Sequence, residues 1–143
     1  MKKVLLIIAA IFTLNAVVAN PVDVNEAQAL GQKFVGSDLT LVYTAMSDRG
    51  ETCFYVFNGE TGFIIMSADD FYRPIIGYSE NGKFDINNVP PALQYYLDGI
   101  VSARSVNRTS QNTAAPDVAA DWKMLEKTGR LVAIKVVTDE NDL

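Results

Sequence analysis

Three strand-like stretches follow one another between residues 39 and 67, and the connections between them are too short for anything but hairpins. Residues 39–45 alternate, which places Leu39, Leu41, Tyr43 and Ala45 on one expected face. Ser47-Asp48-Arg49-Gly50 supplies a turn. Residues 53–57 are dense in aromatic and β-branched side chains, and Asn58-Gly59-Glu60-Thr61-Gly62 turns the chain again. Residues 63–67 are apolar at nearly every position, as suits a strand central in its sheet. Parallel neighbours need a crossover of a dozen or more residues, so these strands must run antiparallel.

The flanking segments add helices. Asn25 is the expected cap of a helix reaching to about Val35, with Glu26 in its first turn, Ala27, Leu30 and Phe34 near helical spacing, and Gly36 at its end. Residues 75–79 form a fourth short strand after Pro74, and Asn81-Gly82 has the chemistry of a tight hairpin turn. The polar stretch Asp85-Ile86-Asn87-Asn88 leads to Pro90-Pro91, which opens a second helix. That helix is expected to run to about Val106 with Leu93, Tyr96, Leu97, Ile100 and Val101 facing inward. Residues 107–116 read as a linker, 117–127 as a short helix bearing Trp122, 131–137 as a last strand, and 139–142 as a frayed acidic end. The fold class is therefore α+β: an antiparallel sheet of four to five strands flanked by two main helices.

A leader precedes this domain. Lys2 and Lys3 head an apolar run over residues 4–14, and Val17-Val18-Ala19 puts small residues at the −3 and −1 positions of a signal-peptidase site. The run is too short to span a bilayer comfortably, and a core strand does not start at residue 4 behind two lysines. Cleavage is expected after Ala19. The division is thus a signal peptide at 1–19, a domain at 20–106, and a linker, short Trp-bearing helix and tail at 107–143. Residues 20–143 hold ten basic and seventeen acidic side chains, a net charge of −7. An acidic chain without a basic cluster argues against nucleic acid and anionic membrane surfaces as partners.

Catalytic chemistry has few residues to draw on. The chain has no histidine, which removes Ser-His and Cys-His nucleophilic pairs, histidine bases and histidine metal sites. Cys53, the single cysteine, cannot close an internal disulfide and reads as a small core residue or a partner for an intermolecular bond. Adjacent Asp69 and Asp70 point to opposite faces of an extended segment and fit turn capping better than a shared site. Glu80 and Asp85 flank the Asn81-Gly82 turn without the ligand spacing of a calcium loop. Tyr43, Phe54, Tyr55, Phe57, Phe63, Phe71 and Tyr72 read as core rather than a ligand groove, and Tyr95-Tyr96 as one ring inward and one at the surface. Asn107-Arg108-Thr109 fits the N-glycosylation pattern. No catalytic residue, metal or cofactor is expected. These residues alone indicate an exported binding or interaction module.

One series of motifs goes further: Phe54-Tyr55-Val56-Phe57-Asn58, Gly62-Phe63-Ile64-Ile65-Met66-Ser67-Ala68-Asp69-Asp70, Arg73-Pro74-Ile75-Ile76-Gly77-Tyr78-Ser79 and Gly82-Lys83-Phe84-Asp85. It resembles the pro-domain of the streptopain family of secreted bacterial cysteine proteases, a fold shared by stand-alone streptopain inhibitors. The helix at Glu26-Ala27 and the helix start at 90–97 fall in the family's order, and Asp121-Trp122 to Leu125 resembles the segment just ahead of the mature enzyme. The resemblance implies a domain that docks on a streptopain-like cysteine protease, blocks its cleft and holds the catalytic histidine out of place. Asn87 and Asn88 are the positions that correspond to the asparagine-bearing segment involved, and Ser79, Asn81 and Asp85 complete the expected contact surface. The residues present resemble the inhibitory half of such a zymogen without its enzyme half. A pro-domain severed from its protease and an exported binding module of the same fold are the competing expectations.

Overall fold

The computed structural model of the protein describes residues 20–107 and 114–136. The expected signal peptide, most of the expected linker with its glycosylation pattern, and the acidic end lie outside the described residues. Helix α1 spans Val24–Val35, and its cap is Asp23 rather than Asn25: the Asp23 carboxylate accepts the Glu26 N–H at 2.9 Å. The Val22 N–H is committed to Ala68 O at 2.9 Å, Asp23 is the last extended residue at φ −76° and ψ 165°, and the helix begins at Val24. Asn25 then falls inside the first turn. Gly36 ends α1 as expected, at φ 74° with its N–H on Gln32 O.

Strands β1 (Thr40–Met46), β2 (Thr52–Asn58), β3 (Phe63–Ser67) and β4 (Ile75–Ser79) form one antiparallel sheet in the order β1-β2-β3-β4. The expected α+β class is what the structure shows. The single face assigned to residues 39–45 needs correction. Leu41 pairs with Phe57 and Tyr43 with Val56, so Val42 is an extra residue. A bulge of one residue reverses the phase of every side chain beyond it. Leu39 is buried on one side of the sheet, Leu41 is 41% exposed, and Tyr43 and Ala45 pack on the opposite side.

Both faces of β2 and β3 are covered, which explains their unbroken apolar character. Tyr55, Phe57, Ile64, Met66 and Ile75 pack beneath α1 and beneath α3 (Pro116–Thr128). Phe54, Val56, Phe63, Ile65 and Ile76 pack beneath α2 (Pro91–Asn107) through Leu93 and Leu97. Tyr96, expected to face inward, is 41% exposed, and Tyr95 is 83% exposed.

Residues 116–136 share the core of residues 20–106. Leu125 is fully buried between α1 and the sheet, and the Trp122 indole donates to Tyr72 O at 2.8 Å. Arg73 pairs with Asp117 and Asp121 on α3. In place of a full last strand, the segment beyond α3 pairs briefly in parallel with β4: Tyr78 N–H reaches Ile134 O at 3.0 Å, and Val136 N–H reaches Tyr78 O at 2.6 Å. No described helix is long and apolar enough to cross a membrane.

Candidate functional site

The surface that joins β4 to α2 is polar, exposed and tightly braced. Ser79 is buried, and its hydroxyl both donates to Asn81 O at 2.6 Å and accepts the Asn81 N–H at 3.3 Å. Ser79 therefore shapes the turn from inside instead of presenting a side chain outward. Gly82 follows at φ 79°, a left-handed conformation that suits glycine. The turn is not a hairpin. No strand returns along β4; Phe84 instead locks onto Asn58 at the end of β2. The Phe84 N–H donates to Asn58 Oδ1 at 2.8 Å, and Asn58 Nδ2 donates to Phe84 O at 3.0 Å. One side-chain amide thus replaces a strand partner, and the buried Phe84 ring lies 5.8 Å from Phe63 and 6.1 Å from Tyr43.

The next residues rise off this anchor. Asp85 Oδ1 accepts the Asn87 N–H at 2.9 Å and Asp85 O accepts the Asn88 N–H at 3.0 Å, closing a single 3₁₀ turn over Ile86–Asn88. Pro90 O accepts the Gln94 N–H at 2.9 Å, so α2 starts at once. Asn81, Asp85, Ile86, Asn87 and Asn88 are all exposed, and Tyr95 stands on the first turns of α2 about 6 Å along the axis from Pro91. Of the five expected contact residues, the structure places Asn81, Asp85, Asn87 and Asn88 at the surface and Ser79 beneath it. Ile86, passed over in the sequence, is 45% exposed within the same stretch, and Tyr95 is the surface ring of the Tyr95-Tyr96 pair.

The other singled-out residues are structural. Cys53 is buried, with its thiol 3.7 Å from Glu51 O. Asp69 is buried and accepts the Phe71 N–H at 2.9 Å, which caps the turn after β3. Glu80 pairs with Lys135 at 2.7 Å. Among the described residues no group of three His, Cys, Asp or Glu side chains is placed to hold a metal. Arg104 was missed. It is buried, donates to Cys53 O and to Ser67 Oγ (2.9 Å), and lies 4.1 Å over the Tyr72 ring. Burial pulls its pKa down, opposed by Tyr72, Cys53 and Asp69. Its signal was available, since position 104 continues the helical stripe of Leu93, Leu97, Ile100 and Val101.

The sequence profile of the Spi protease inhibitor family matches residues 19–103, more than half of the chain. The thiol protease/hemagglutinin PrtT of Porphyromonas gingivalis is 41% identical over 63 residues, 43% of this chain and 7% of that protein. Streptopain of Streptococcus pyogenes is 36% identical over 64 residues, 42% of this chain and 16% of that protein. The chain therefore covers a small part of either relative. No solved structure matches.

Proposed function

From the premise that this chain belongs to the Spi protease inhibitor family, which comprises inhibitors and not enzymes, we propose that it is an exported protein that blocks the active-site cleft of a streptopain-like cysteine protease. The observation that carries this reading is the braced, outward-facing turn over residues 81–88, which lies inside the matched region. Inhibition requires no chemistry from the inhibitor, only a surface that occludes. A rigid projection loses little conformational entropy on docking, and an interface of about 1,600 Å² can then reach nanomolar affinity with a few well-buried anchors. Ile86 and Tyr95 are suited to be such anchors, and Asn81, Asp85, Asn87 and Asn88 to be hydrogen-bonding contacts. Tyrosine is enriched among residues that dominate binding energy.

Export rests on the leader at residues 1–19, with cleavage after Ala19. The test is titration of the purified protein, beginning at Asn20, against streptopain and related thiol proteases. Stoichiometric loss of activity is expected, and full activity at micromolar inhibitor across these enzymes would sink the reading.

A second reading is a pro-domain acting in cis on a protease. It is favoured by the relatives, which are themselves named as a protease and as streptopain. A protease-coding frame directly downstream would support it. A separate, intact protease gene nearby would support inhibition in trans.

A further inference from the structure

Residues 20–22 run alongside the loop that follows β3. Val22 N–H donates to Ala68 O at 2.9 Å, Asp70 N–H donates to Asn20 O at 3.0 Å, and Pro21 bridges Asp69. The backbone nitrogen of Asn20 points at Asp70 Oδ1, 2.6 Å away. It stands at the edge of a cleft of about 450 Å³ whose charged lining is Glu26 and Lys33 of α1, Asp70 of the loop and Glu126 of α3. The capping carboxylate Asp23 lies beside Glu26. Lys33 directs its ammonium to the Glu126 backbone carbonyl at 2.7 Å. Four carboxylates therefore meet one cation. The crowding registers on Glu26, whose carboxyl is held above its ordinary range by burial first, then by Asp23, Glu126 and Asp70.

We propose that removal of residues 1–19 completes this corner of the fold: the α-ammonium of Asn20 docks on the Asp70 carboxylate and supplies the missing positive charge. The inference rests on the proposed cleavage after Ala19 and not on the inhibitory reading. Hydrolysis breaks the Ala19–Asn20 C–N bond. The water oxygen goes to the Ala19 carboxylate, and the released amine takes up a proton. A neutral amide donor becomes a charged one at a position already 2.6 Å from its acceptor. Charge-assisted hydrogen bonds are roughly twice as strong as neutral ones. The leader's removal would then leave a folded domain whose new end is pinned to the β3–β4 loop.

Three proteins test this: the chain starting at Asn20, its Nα-acetylated form, which keeps one amide N–H there but carries no charge, and the Asp70→Asn variant starting at Asn20. The α-amino group is followed by NMR titration. In the first protein it should titrate above the ordinary range of about 7.7–8.0, and in Asp70→Asn it should fall back toward that range. The Glu26 carboxyl should titrate lower in the free-amino form than in the acetylated one. A raised amine pKa contributes stability that is full below the unfolded value and lost as pH rises through the folded value. The free-amino form should therefore melt several degrees above the acetylated form at pH 6–7, and the gap should close in strong alkali. An α-amino pKa at or below the ordinary range, or identical Glu26 titration in the first two proteins, overturns the docking. N-terminal sequencing of the exported protein that finds a start other than Asn20 overturns the link to maturation.

Discussion

Replacing Asn58 with alanine removes both hydrogen bonds that hold the Phe84 backbone, at 2.8 Å and 3.0 Å, without touching any exposed residue of the turn over 81–88. Each bond contributes a net ~0.5–1.5 kcal/mol, and a polar group left without a partner in a buried site costs more. Phe84 is only 6% exposed, so water replaces these partners poorly. A total of about 2–3 kcal/mol follows. With a urea dependence of roughly 1–3 kcal/mol per molar, the unfolding midpoint should fall by about 1–2 M. The released turn must also be ordered again on docking, at ~1–2 kcal/mol per residue fixed. The inhibition constant against a streptopain-like protease should therefore rise by about tenfold or more, since each 1.4 kcal/mol is a factor of ten. Urea melts followed by circular dichroism measure the first effect. Tight-binding titration, at a temperature where both proteins are folded, measures the second. An unchanged midpoint would refute the bracing role of Asn58. A lowered midpoint with an unchanged inhibition constant would refute the placement of the contact surface. Asn58→Asp, which keeps the acceptor for the Phe84 N–H but sets an oxygen against the Phe84 carbonyl, should not rescue either property.

Other consequences of the geometry are open to measurement. Tyr95→Ala should leave the melting temperature nearly unchanged, because the ring is 83% exposed, yet weaken inhibition by about 1–2 kcal/mol or more if Tyr95 is an anchor. Leu125→Ala should cost about 2–5 kcal/mol by chemical denaturation, since the side chain is fully buried beneath α1. Arg104→Ala removes the donor to Ser67 Oγ and one of two donors to Cys53 O, which keeps the Ala68 N–H, and should cost about 1.5–3 kcal/mol, with Arg104→Lys recovering part of the loss in the same melts. Glu26, whose carboxyl is raised, contributes stability that is present below its unfolded pKa and lost as pH rises through its folded pKa. Glu126→Gln should lower the Glu26 titration midpoint followed by NMR, and an unchanged midpoint would remove Glu126 as a cause.

Much of the fold was legible because its signals are local. Turn residues bracket residues 63–67 and 75–79 closely, and both strands occur at those bounds. Gly36 ends α1 because left-handed geometry at a helix end selects glycine whatever lies around it. The exposure of Asp85, Asn87 and Asn88 likewise follows from a polar run between apolar segments. Other features depend on contacts between residues far apart in the chain. Asn25 and Asp23 are both competent caps, and the helix starts after Asp23, next to the pairing of Val22 with Ala68. The bulge at Val42 arises from the register against β2, which alternation within β1 does not record. Ser79 looks as exposed as Asn81 in the sequence, but the turn folds over it.

By itself, then, the amino-acid order determined an antiparallel α+β chain with no histidine for catalysis. Spacing, turn chemistry and composition act over a few residues and are sufficient for each of these. The tertiary structure alone decided that α3 closes the same core, that Arg104 bonds Cys53 O and Ser67 Oγ, and that Asn58 holds Phe84 and so presents residues 81–88. Those outcomes depend on which buried polar atoms find partners across 26 to 51 residues of intervening chain, a distance over which sequence pattern carries no register.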